Sequence, residues 1–238
     1  MTAVFVNTVT VLVGSLTGLI FSKKINKKYT NALILALALI TAVIGLQSAI
    51  KTGDMLCVIV CLVLGTLVGE LIRVDDRIEG AGDWLKKKVL RGKDHSESRF
   101  TEGFVSACIL FCVGSMTIMG SIEAGVNHNY TVIFAKSTMD LISSMAFAAT
   151  MGVGVVFSAA FVLVFQGTLT LLAAELGRFL SPEMVTEMSA VGGVILLGMA
   201  VNMLGLRKER IKIANMLPGI FLPIAYIPLA NWLSGLIG

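Results

Sequence analysis

Charge is scarce in this sequence: only 14% of its 238 residues are Asp, Glu, Lys or Arg, while 56% are hydrophobic. Histidine is scarcer still, and His95 and His128 both fall in polar stretches, so no paired imidazoles mark a helical zinc site. No glycine-rich loop ends in the lysine of a phosphate cradle, and no nucleophile elbow occurs. An enzyme is therefore not expected, nor a transporter driven by its own nucleotide hydrolysis, and no cofactor or metal is implied. The four cysteines, Cys57, Cys61, Cys108 and Cys112, lie inside apolar runs as two i,i+4 pairs. They read as small packing residues, with no disulfide framework.

The apolar residues also lack period-two alternation, which excludes a transmembrane barrel. They come instead in blocks long enough for helices to cross a hydrocarbon core, which takes roughly 20 residues each. The first block, Ala3 to Phe21, has no basic segment before it and four lysines after it, the reverse of a secretory signal. It is expected to remain as a membrane helix. Seven further blocks follow, at about 31–50, 55–72, 101–122, 131–150, 153–174, 185–206 and 213–236. The expected fold is all-α: a polytopic membrane bundle of about eight spans.

Between the third and fourth spans lies the only long polar segment, 73–99. Within it Ile78, Trp84, Leu85, Val89 and Leu90 form an apolar stripe beside Lys86, Lys87 and Lys88, which suits an amphipathic helix lying on the membrane surface. Basic residues set the orientation. Lys23, Lys24, Lys27, Lys28, the eight Lys and Arg of 73–99, and Arg207, Lys208, Arg210 and Lys212 all fall in loops of one side, leaving Lys51, Lys136 and Arg178 out of 19. By the positive-inside rule those loops are cytoplasmic and both termini are outside. The net charge of +4 is thereby explained by orientation, and nucleic acid is not expected as a partner.

An offset of 153 aligns VLVGSLTGL (11–19) with VFQGTLTLL (164–172) and Gly45 with Gly198, while one further residue brings Gly65 onto Gly219. Spans one to three then correspond to spans six to eight, and the parity makes the two triplets inverted relative to each other. The domain reading follows as repeat one at 1–72, a cytoplasmic linker at 73–99, a central hairpin at 100–151 and repeat two at 152–238. Inverted repeats with interrupted helices and a polar site at mid-membrane are a recurring build of secondary transporters. The prolines of the last span, Pro218, Pro223 and Pro228, are expected to interrupt it.

Charged side chains inside apolar spans are costly and are functional candidates by default. Lys136 and Asp140 are four residues apart, so a helix places them on one face. With Ser143, Ser144, Gln166, Asn202 and Asn215 they form the candidate pathway. Lipid surrounds such a bundle, and a small solute or an ion such as H+ or Na+ is the expected passenger. The 24 glycines suit close helix packing, and a homo-oligomer is compatible with them. The rival reading is a membrane scaffold that recruits a cytoplasmic partner through 73–99.

The segments RFTEGFVSACILFCVGSMTIMGSIEAG (99–125), KSTMDLISSMAFAATMGVGVVFSA (136–159), FQGTLTLLA (165–173) and IANMLPG (213–219) resemble a family of prokaryotic multi-pass membrane proteins, the YqgA- and YdfK-like proteins of domain of unknown function 554. The KSxxDxxSS block is the most specific part. The resemblance spans nearly the whole chain and implies a compact helical bundle in the bacterial cytoplasmic membrane. It carries no activity with it.

Overall fold

A computed structural model describes residues 1–22, 27–78, 80, 100–112 and 114–237. In chain order the helices are α1 (Thr2–Ser22), α2 (Lys27–Ala49), α3 (Met55–Ile72), α4 (Phe100–Cys112), α5 (Ser115–Val126), α6 (Thr131–Met151), α7 (Gly154–Leu171), α8 (Ala173–Phe179) and α9 (Pro182–Met203). A 3-10 segment (Ile213–Phe221) and α10 (Pro223–Ile237) complete the fold. No strand occurs among the described residues. The surface-helix expectation for Trp84 through Leu90 lies outside them.

Six helices are each long and apolar enough to cross a bilayer. Two bent pairs, α4 with α5 at 57° and the 3-10 segment with α10 at 46°, bring the number to eight if each pair makes one crossing. The second bend falls at Pro223 and follows Pro218 inside the 3-10 segment, because proline removes a backbone donor and collides with the preceding turn. The Met151–Gly154 link is the tight turn its glycines suggest. Gly152 takes φ +86°, a conformation glycine reaches without a Cβ penalty.

Glycine contacts order the bundle. On α1, Gly14 lies against Leu141 and Ser144 of α6, and Gly18 lies against Met145 and Ala149. Four residues forward on one helix match four forward on the other, so α1 and α6 are parallel. By the same logic α3 is antiparallel to the 3-10 segment, with Gly65 on Gly219 and Gly69 on Asn215. α2 crosses α9 where Gly45 and Gly193 each face the other's carbonyl. These directions decide how α4 and α5 are used. A re-entrant α4–α5 would return the chain to the side it left and turn α6 antiparallel to α1, so the parallel packing makes the bent pair a crossing.

The buried face of α1 carries Ala3, Val4, Asn7, Val11, Gly14, Ser15 and Gly18, while Phe5, Val9, Leu16 and Ile20 point outward. Small residues inside and large apolar ones outside are what membrane helices need, because lipid imposes no penalty on exposed leucine and close backbone approach supplies the cohesion. α9 is enclosed on most sides, from Met184 to Met203, and forms the centre of the bundle.

Glu187 of α9 fastens the turn between α2 and α3. Its carboxylate accepts from Thr52 Oγ1 at 2.6 Å, Gly53 N at 2.7 Å and Asp54 N at 3.3 Å. Asp54 in turn caps α3 by accepting from the amides of Leu56 and Cys57. Since Glu187 is buried, Glu187→Leu strands these donors and is expected to cost about 1–3 kcal/mol. Glu187→Gln retains an acceptor and should lose less. Thermal unfolding in detergent checks this, and an unchanged Tm for the leucine variant would show that the turn does not depend on the carboxylate.

Candidate functional site

Lys136 and Asp140 lie on the buried face of α6, with Nζ 2.5 Å from Asp140 Oδ2. Both residues are 6% exposed, so the pair is a contact shielded from solvent. The ammonium also sits 5.9 Å from the centroid of the Phe111 ring on α4, within cation–π range. Asn7 of α1 joins the two remaining walls. Its Nδ2 donates to Asp140 Oδ2 at 3.1 Å and to Gln166 Oε1 of α7 at 2.9 Å.

Parallel packing of α1 on α6 makes this contact possible. Asn7 and Lys136 each stand five residues into their helices, and Gln166 stands five from the end of the antiparallel α7. At 1.5 Å per residue the three share a level about 8 Å inside the helix ends. Beneath them Val11, Phe147 and Ala148 are buried together with the hydroxyl side chains of Ser15 and Ser144.

On the side away from Asn7 the pair opens into a cleft of about 210 Å³. Gln47 and Ser48 of α2 and Lys51 of the turn after it line it with Lys136, Asp140 and Ser143 of α6. Its third wall is the break between α4 and α5, at Gly114 and Met116. There Gly114 opens α5 in an extended conformation with no side-chain cap, and Thr117 Oγ1 donates to the Phe111 carbonyl at 2.9 Å. A helix broken inside a membrane leaves unmatched amides and carbonyls, which is tolerated where they border a cavity.

Four of the seven residues proposed from sequence meet here: Lys136, Asp140, Ser143 and Gln166. Ser144 turns away, donating to the Leu141 carbonyl at 3.0 Å where α6 meets Gly14 of α1. Asn202 and Asn215 lie at the far end of α3, whose 18 residues span about 27 Å. Asn202 clamps Ile211 through both its amide and its carbonyl at 2.9 Å, and Asn215 Oδ1 accepts from Asp75 N at 2.7 Å. Asp75, buried, also pairs with Arg210 at 2.6 Å and borders a water-sized pocket with Glu102 and Asn202. Beside it the Asp76 carboxylate holds the exposed Lys212 ammonium above the ordinary lysine range. This second cluster pins the loop after α9 against the segment after α3.

Asn7 escaped the sequence reading, as did Glu187. The signal for Asn7 was a lone amide five residues into an apolar span. Its partners, 133 and 159 residues away, could not be seen. No group of three or more potential metal ligands forms among the described residues, and the four cysteines are free and buried.

The chain matches the family model described as "Protein of unknown function (DUF554)" over residues 2–227. It is similar to the "Uncharacterized membrane protein YdfK" of Bacillus subtilis (strain 168), at 29% identity over 221 residues covering 91% of each chain. It is also similar to the "Uncharacterized protein YqgA" of Escherichia coli (strain K12), at 27% identity over 220 residues and 92% of each. No solved structure matches it. With a family model covering all but its last eleven residues and its first, a helical membrane architecture and two full-length relatives, the chain belongs to the DUF554 family.

Proposed function

We propose that this protein is a secondary transporter or channel for a small solute or ion, with its site at the Lys136–Asp140 pair. The observation that carries the reading is the meeting of a buried ion pair with a broken membrane helix at one cleft. Charges inside a bilayer are retained where they bind or move something, and interrupted helices supply the backbone dipoles that hold a passenger. The inverted 3+3 repeat belongs to the same reading. It is supported by the packing of α1 on α7, α2 on α9 and α3 on the 3-10 segment, since each helix then adjoins its repeat mate, as elements beside a twofold axis do. Residence in the bacterial cytoplasmic membrane with both termini outside, absence of enzymatic activity, and association with a second copy complete the proposal.

Flux through purified protein in proteoliposomes, under imposed proton or sodium gradients and with solute pools added, tests it. Gradient-driven flux is expected from wild type and expected to vanish in Asp140→Asn, with the variant still folded and inserted. Flux at the wild-type rate in that variant refutes the site. Absence of flux from folded wild-type protein under every gradient favours the scaffold reading, which a pull-down with and without residues 73–99 would then examine.

A further inference from the structure

We propose that the Lys136–Asp140 pair couples one proton to one small organic monoanion, which binds in the α2–α6 cleft. The proposal rests on the transporter reading and names its substrate class and coupling ion.

The proton follows from the polar atoms left without partners on the side of the pair opposite the cleft. Asn7 Oδ1 and Gln166 Nε2 are buried and unbonded, as are Ser121 Oγ of α5 and Thr170 Oγ1 of α7. Asn7 and Gln166 are fully enclosed, and the network fixes which way their amides point. Turning Asn7 over would set its oxygen against the Asp140 carboxylate and Gln166 Oε1, and turning Gln166 would set two amino groups face to face. One unmatched acceptor therefore lies beside one unmatched donor. A bare cation is repelled by the Gln166 amino group. Water satisfies both, and buried water fills sites of this kind.

These four groups share one seam; a fifth orphaned hydroxyl, Ser15 Oγ, lies about two turns further along α1, away from it. Gly125 of α5 packs on the Thr170 carbonyl and on Ala173, and α5 runs in the same direction as α7. Ser121, one turn back, is therefore level with Gln166, one turn back from Thr170. Thr170 stands next to the last residue of α7. The seam leads from that helix end to Asp140 through hydroxyls and amides, the groups that carry a chain of waters.

The anion follows from the charges on the cleft side. Lys136 and, at the exposed edge, Lys51 line the cleft with Asp140, an excess of one positive charge. The other groups facing Asp140 are Cys112 on α4 and the amide of Asn7 on α1, behind which stands Gln166 of α7. Glu123 of α5 is turned to the outer loop, where it accepts from Asn129 at 3.2 Å. When a proton forms an O–H bond on Asp140, the ammonium–carboxylate pair breaks and Lys136 keeps its charge. That charge then faces a cleft whose further donors are Ser48, Ser143 and Gln47, beside the uncapped start of α5. A monoanion entering there restores neutrality, so the loaded site (ammonium, anion and carboxylic acid) has the same net charge as the empty pair. Crossing with the net charge of the site unchanged adds none of the cost that excludes ions from hydrocarbon. The cleft is roomy enough for a small molecule, and Ile44, Leu110, Met116 and Met139 give it apolar walls. A small monocarboxylate fits both features.

Wild-type proteoliposomes with a pH indicator inside, an acidic exterior and radiolabelled pyruvate provide the test, with alanine and radioactive sodium as parallel probes. Pyruvate is expected to accumulate about tenfold per unit of pH difference at one proton per anion, with matching internal acidification and no response to a clamped membrane potential. Asp140→Asn imitates the protonated site, so pyruvate–pyruvate exchange is expected to persist while uptake driven by the pH difference disappears. Gln166→Leu is expected to slow the proton-driven uptake and spare exchange. Accumulation of sodium or alanine without pyruvate, uptake driven by sodium, or net charge movement per cycle overturns this proposal and leaves the transporter reading standing. Absence of flux with any probe from folded protein overturns both.

Discussion

Lys136→Met is expected to destabilise the protein by about 3–5 kcal/mol, because it leaves the Asp140 carboxylate buried without its counter-charge. Both partners are 6% exposed, and Asn7 supplies only a neutral donor at 3.1 Å. The double variant Lys136→Met/Asp140→Leu is expected to recover most of that loss, since a well-packed apolar pair replaces an ion pair at little cost in stability. Its gradient-driven flux should nevertheless remain at background. Denaturation in mixed micelles separates the two effects. A single variant as stable as wild type would mean that water reaches the pair freely, and a double variant that still transports would remove the pair from the mechanism.

Gly18→Leu is expected to prevent α1 from docking on α6. Even a Cβ at Gly18 would collide with the Met145 carbonyl, and one at Gly14 would collide with the Leu141 carbonyl. These obstacles are backbone, which cannot rotate aside as a side chain can. Overpacking a side chain commonly costs about 1–3 kcal/mol, and the leucine variant should exceed that range. Because the same seam sets the register that brings Asn7 to Asp140, a variant that survives folding should also lose flux. Gly235→Ala is the control: no atom lies within 4 Å of a Cβ there, and its effect should stay within about 0.5 kcal/mol. Thermal unfolding of the three proteins in one detergent decides the matter, and equal melting of Gly18→Leu and wild type would contradict the packing.

Much of the architecture could be read along the chain because membrane spans are a local property. Hydropathy over about 20 residues marks each of them, and the glycine turn at Gly152 and the proline breaks at Pro218 and Pro223 follow from single-residue stereochemistry. The break at Gly114 falls inside an apolar block that hydropathy marks as one span. Its consequence, a cleft wall beside Asp140, depends on where α6 lies. The candidate site divides in the same way. Lys136 and Asp140 share a face by their spacing of four, so their pairing needed only one helix. Ser143, on the same helix, lines their cleft, whereas Ser144 turns to α1 because α1 covers that face. Asn202 and Asn215 enter the candidate pathway as amides inside apolar spans. They occupy a different cluster because the loop at 207–212 folds back on Asp75 and Asp76.

The sequence by itself determined that this chain fills a bilayer with helices, that their spans alternate in direction, and that an ammonium and a carboxylate share one helical face within it. These are consequences of local hydropathy and of a period of 3.6 residues. Tertiary structure alone decided that Asn7 and Gln166 close over the pair, that a broken helix borders it, and that Glu187 reaches across to hold the α2–α3 turn. The Asn7 and Glu187 contacts join residues more than a hundred positions apart, the helix break meets the pair across the length of α5 and a turn, and the close approach of backbones at glycine sets the register, which no window along the chain contains.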